Sequence, residues 1–174
     1  MRVLFIGVLL VAACSGPSDP ALVFGNDTPG DLEELSSTTF ARFVEVFPAQ
    51  ADCIGTVTLE GARELDDRAR YDPASASITI RIPATAPQLE ISLVHELAHH
   101  LEFSCPTHPE LRAGFQAEQA LEGEWFDGET WENTPSEQWA TAVVELVLGR
   151  LDERARVNVT PAALAIVAAW AGGE

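Results

Sequence analysis

Positive charge is what this chain has least of. Its 10 arginines, with no lysine beside them, stand against 27 aspartates and glutamates, for a formal net charge of −17 at pH 7. A nucleic-acid partner needs a basic face, so that class of function is argued against. The acidic balance favours solubility and repels anionic surfaces, but it names no substrate. Internal repeats are absent. The two strongly apolar runs, Val3 to Ala13 and the one after Pro161, are both too short to span a bilayer as stable helices. Cysteine is limited to Cys14, Cys53 and Cys105, with no pair at the spacing of a thiolate zinc site. Tyr71 is the single tyrosine. What is present, in 174 residues, is enough for one domain with a real core and too little for two.

The first residues bear on the compartment. Arg2 is followed by the short apolar run, which reads as a signal peptide over 1–13. The run ends in Val11-Ala12-Ala13-Cys14, which resembles the lipobox of bacterial lipoproteins. That resemblance implies that Cys14 is acylated and becomes the mature N-terminus. Ser15 in the next position implies outer-membrane sorting, so the expected location is the bacterial envelope, lipid-anchored. Cys53 and Cys105 then remain as an even pair in an exported protein and read as one disulfide. Closing a loop of about 50 residues is worth on the order of 4 kcal/mol in the chain-entropy model. The competing reading makes Cys105 a metal thiolate.

Residues 14–30, rich in Pro, Gly, Ser and Asp, read as the lipidated N-terminus and a flexible tether. The folded domain is expected over 31–174. Asp31 and Glu34 form a capping-box pattern ahead of a helix whose apolar residues are Leu35, Phe40, Phe43, Val44 and Phe47, with Pro48 ending it. "IGTVTLEG" alternates with period two, as a strand does. "RARYDPASASITIRIP" holds two extended runs around Asp72-Pro73-Ala74-Ser75, a hairpin. A helix is expected from about Gln88 to Phe103 and a short one from about Glu110 to Leu121. Further helices are expected after Thr134-Pro135 and after Thr160-Pro161. "EGEWFDGETWENT" is an acidic, tryptophan-rich loop. The class is α+β: a small sheet with a hairpin, packed on the helix that carries "HELAHH" and on later helices.

In "SLVHELAHHLEFSC" His95 and His99 are four residues apart. On a helix this puts both imidazoles on one face, one turn apart, as two positions of a tetrahedral zinc require. Glu96 sits beside them and can take a proton from a zinc-activated water. Leu93, Val94, Leu97 and Leu101 make the core-facing stripe; Ser92, His95 and His99 fall opposite, with Glu96 flanking. The bland alternative is a surface helix with one polar face.

Hairpin, then "SLVHELAHHLEF", then a helix bearing a glutamate followed by "WA" resembles the small zincin metallopeptidases, closest to minimal gluzincin-type domains. The likeness spans roughly Thr56 to Gly149 and is one of pattern. It is not metzincin-like: Glu102 and Cys105 stand where that family's longer motif needs Gly and His. The resemblance implies one zinc, held by His95, His99 and a glutamate on a later helix. Glu137 matches the E-x-x-A pattern, yet it is also at N3 of a Thr134-Pro135-Ser136-Glu137 capping box. Glu118, with 18 residues after His99, and His108 are the rival third ligands. Gluzincins often use a Tyr or His on the oxyanion. The one tyrosine, Tyr71, lies in the hairpin before the helix and none stands in the stretch leading into Glu137, so His100, His108 or zinc alone would serve, and His100 reads better as a supporting or surface residue. Trp125, Trp131 and Trp139 either wall the cleft or pack beneath a loop.

Two functions follow as expectations. One is an envelope-anchored zinc metallopeptidase acting on a peptide or protein substrate, attached to the membrane through the lipid on Cys14, and monomeric. The other is a non-catalytic surface lipoprotein that keeps the scaffold, with or without zinc, as a binding module.

Overall fold

The computed structural model describes residues 19–26, 28–150 and 156–174. The expected leader over 1–13, the lipidated Cys14 and the first part of the tether lie outside the described residues. From there the elements run β1 (Ala21–Phe24), α1 (Gly30–Val46), α2 (Ala51–Ile54), β2 (Thr56–Ala62), β3 (Ala69–Asp72), β4 (Ser77–Arg81), α3 (Ala86–Ser104), α4 (His108–Gln119), α5 (Pro135–Leu148) and α6 (Pro161–Gly172). The class is α+β, as expected, with one small mixed sheet in the order β1-β2-β4-β3.

The sheet begins earlier than the tether reading allowed. β1 pairs in parallel with β2, Leu22 opposite Val57 and Phe24 opposite Leu59. The Ala21 N–H donates to the Gly55 carbonyl at 2.9 Å, and Gly25 N–H to Leu59 at 2.9 Å. Leu22 and Phe24 pack against the core while Val23 points to solvent. That is period-two alternation over too few residues to stand out in a stretch rich in turn formers. β2 pairs in parallel with β4 and β3 pairs antiparallel with β4, so the expected hairpin is present and β3 is an edge strand. Its turn is held by Asp72, whose carboxylate accepts from the Ala74 N–H at 3.0 Å and from the Ser75 hydroxyl at 2.7 Å.

The first helix differs from its expected form at the N-terminus. It starts at Gly30 with Pro29 as N-cap, and the Asp31 carboxylate accepts from the adjacent Leu32 N–H, so no Asp31–Glu34 box forms. Pro29 presets the backbone two residues earlier than a capping Asp31 would. The buried stripe is accordingly Leu32, Ser36, Thr39, Phe40 and Phe43, leaving Leu35 and Val44 half-buried.

α3 runs through the middle of the molecule, packed on α1, α5 and the β3–β4 hairpin. Phe43, Phe47, Val57, Leu59, Ile78 and Leu97 are fully buried between these layers. Burial of each such side chain contributes about 1.5–3 kcal/mol. The expected disulfide joins Cys53, in α2, to Cys105, just past α3, with Cα atoms 5.1 Å apart. It therefore pins the far end of α3 to the turn before β2, and Cys105 takes no part in a metal site.

Candidate metal centre

Leu93, Val94, Leu97 and Leu101 are at most 1% exposed and lock α3 against the core. The opposite face turns His95, Glu96 and His99 into a cleft of about 680 Å³, whose walls include Tyr71, Trp131 and Glu137. The i, i+4 spacing does what the sequence implied: the two imidazole Nε2 atoms lie 3.1 Å apart.

Glu137 comes to them from the first turn of α5, 42 residues along the chain from His95. Its Oε2 is 2.9 Å from His95 Nε2 and 3.5 Å from His99 Nε2. The competing capping role does not arise. Thr134 makes no side-chain cap to α5, and its hydroxyl donates instead to the Thr130 carbonyl at 3.0 Å. That leaves the Glu137 carboxylate for the histidines. One atom from each of His95, His99 and Glu137 falls within a 4.8 Å group, and these three could hold a metal ion.

The histidines and carboxylates of the group stabilise one another's charge. Burial pushes the Glu137 carboxyl up, but hydrogen bonds from His95 and His99 outweigh it and hold the group well below the usual carboxylate range. Burial likewise opposes charge on His99, yet the Glu102 and Glu137 carboxylates raise its pKa to about 10.

Glu102 is the functional residue that sequence reasoning missed. It lies one turn beyond His99 on α3, with its side chain fully buried. Its Oε2 is 2.7 Å from His99 Nδ1. Trp125 Nε1–H donates to Oε1 at 2.9 Å and the Ser136 hydroxyl to Oε2 at 3.3 Å. A carboxylate on Nδ1 fixes the imidazole ring and leaves Nε2 directed at the cluster, the arrangement metal-bound histidines use. The only hint in the sequence was the i, i+3 spacing from His99.

Glu96 is 8% exposed. Burial raises its pKa above the ordinary value; His95 and His99 pull it partly back, and the Tyr71 backbone N–H also holds it. A carboxyl so placed is within the class of groups that exchange protons with a neighbouring water. Tyr71 itself is turned elsewhere. His100 is buried with both nitrogens engaged, Nε2 at 2.7 Å from the Ile54 carbonyl and Nδ1 at 2.9 Å from the Tyr71 hydroxyl. Nε2–H must donate to the carbonyl, so Nδ1 accepts from the tyrosine. His100 is a core residue linking α2 to β3, neither a surface group nor an oxyanion donor.

Neither rival ligand falls in the group that could hold the ion. Glu118 is exposed on α4. His108 is fully buried against the rings of Trp125, Trp139 and Trp170, and Arg112 Nε–H donates to its Nδ1 at 3.2 Å. The tryptophans divide between the two expected roles. Trp125 and Trp139 are buried, whereas Trp131 is 45% exposed and stacks on His95 with centroids 5.9 Å apart.

No family model, no curated protein and no solved structure matches this chain.

Proposed function

We propose that the chain is a zinc-dependent metallopeptidase of the zincin type, exported and held at the bacterial envelope through a lipid on Cys14. The observation that carries the reading is the convergence of His95, His99 and Glu137, from two helices, with the Glu96 carboxyl beside them in one cleft. Two imidazole nitrogens and a carboxylate oxygen are the donor set zinc favours. Their separations of 2.9, 3.1 and 3.5 Å bracket the spacing of roughly 3.3 Å that tetrahedral geometry sets between ligands at normal Zn–N and Zn–O lengths. The residues therefore fit the ion.

A zinc ion held there supplies a Lewis acid that polarises a carbonyl and acidifies a water. The remaining work belongs to the protein. Glu96 takes the proton of the attacking water and returns it to the leaving amine, a role that suits a carboxyl raised by burial. Glu102 keeps His99 oriented, and Trp125 and Ser136 keep Glu102 oriented. β3 is at the sheet edge and Arg68 to Tyr71 line the cleft, so an extended peptide can lie along this strand.

Incubation of the purified chain with an unstructured protein tests the reading. Cleavage is expected, should stop with a chelator and return with zinc. Glu96→Gln should bind zinc normally and cut at least about 100-fold more slowly. Cleavage that survives this substitution would show that Glu96 is not the base. A second reading, a binding module that retains the metal, is favoured by one observation: the Tyr71 hydroxyl is committed to His100 and cannot serve an oxyanion. Under that reading zinc binds and no peptide is cut.

A further inference from the structure

Large apolar side chains left in water are unevenly placed on this molecule. Among the described residues four are exposed: Val23, Phe103, Phe126 and Trp131. The three aromatic ones all line the cleft of the metal centre. Scattered exposed apolar residues need no explanation, but a cluster confined to one concave site marks a surface meant to be covered.

The cluster has a definite form. Phe103 follows His99 by one turn on α3, so it stands next to the metal cluster on the same helix face. Phe126, from the loop after α4, stacks on it with ring centroids 5.4 Å apart and planes 15° from parallel. Tyr71 closes the β3 side, its ring 6.1 Å from that of Phe103. The Arg112 guanidinium lies over the Phe126 ring, 5.2 Å from its centre. Phe103 and Phe126 remain 54% and 51% exposed even so. Two stacked rings still half open to water present an apolar surface, of ring edges more than faces, beside the metal cluster. Glu96 and Glu137 line the same cleft, and so do Arg68 and Arg70, so the apolar rings and not the charges set the choice of occupant.

We propose that Phe103 and Phe126 are specificity-determining residues, and that their stacked rings receive a bulky uncharged side chain, aromatic or leucine-like, adjoining the peptide bond presented to the metal centre. The proposal rests on reading the cleft as a peptide site. Burying an aromatic or leucine side chain on this platform, in place of alanine, is expected to strengthen binding about tenfold or more.

The test separates recognition from cleavage. Affinities of blocked tetrapeptides that differ only in one residue (phenylalanine, leucine, alanine or glutamate) are measured by calorimetry on the full chain carrying Glu96→Gln, with and without zinc. The phenylalanine and leucine peptides should bind at least about tenfold tighter than the other two. Phe103→Ala combined with Phe126→Ala should abolish that preference, while Val23→Ala, exposed but outside the cleft, should leave it intact. Equal affinities across the four peptides, or a preference that persists in the double variant, would overturn the assignment. Cleavage by the unsubstituted chain is followed in parallel. A preference without cleavage keeps the platform and removes the peptidase reading; cleavage without a preference does the reverse.

Discussion

A single buried carboxylate decides which histidine nitrogen faces the metal position. Glu102 accepts at His99 Nδ1 and has two donors of its own, so Glu102→Gln changes charge and proton placement while nearly preserving shape. Zinc affinity should fall about 10–100-fold, read by competition with a chromophoric chelator. An unchanged affinity would make Glu102 a packing residue. His108 carries a pH prediction. Burial, with Arg112 and His99 adding to it, lowers its pKa to about 3 from the ordinary 6.5. The unfolded chain therefore takes up a proton that the folded chain refuses. The stability contributed is complete above pH 6.5 and is lost as the pH falls from there toward 3. The urea midpoint should decline between pH 7 and pH 5, and His108→Gln should flatten that decline. His95, Glu96 and His99 were legible at this scale because their relation is set by helix geometry alone. Glu137 was half legible, since a glutamate at N3 serves caps and metals alike. Glu102 and the Tyr71–His100 pair were hidden, because their partners arrive from Trp125, Ser136 and Ile54 through tertiary packing.

Elements here are held by a few long-range ties. The Cys53–Cys105 bond closes a sequence separation of 52 residues, and its loss should cost about 4 kcal/mol. Thiol titration of the oxidised protein should find neither cysteine reactive, and reduction should lower the urea midpoint markedly. The loop between α4 and α5 supplies Trp125, Phe126 and Trp131 and then delivers Glu137. It passes close to the start of α5: a Cβ on Gly128 would meet the Thr134 hydroxyl oxygen at 2.5 Å and the Thr134 backbone nitrogen at 2.8 Å. Gly128→Ala must shift this loop, so it should weaken zinc binding although it touches no ligand. Helix positions were read well because Pro and Thr mark the starts of α5 and α6, and the Thr160 hydroxyl does accept from Ala163 N–H at 3.1 Å. β1 was missed because its identity depends on β2 offering a free edge, which no local pattern announces. The α1 stripe was misplaced by a few residues because Pro29, not Asp31, sets where the helix starts.

The whole molecule joins an α+β scaffold of ordinary size to a site built almost entirely on two helices. Among the described residues no helix is long and apolar enough to cross a membrane. In the proposed reading the lipid on Cys14 holds the protein at the envelope. Cys14→Ser should release the protein from the membrane fraction of a bacterial host, followed by fractionation and blotting. A protein that stays with the membrane would contradict lipid anchoring. The net charge of −17 leaves substrate choice to the cleft. In the proposed reading His95 and His99 on α3 and Glu137 on α5 together bind one zinc. Elemental analysis of the folded chain and of Glu137→Ala, both dialysed against the same zinc buffer, addresses it most directly. One zinc per chain is expected in the first and a large loss in the second. A folded protein with substoichiometric zinc, or a Glu137→Ala chain that holds zinc as tightly as before, would contradict it.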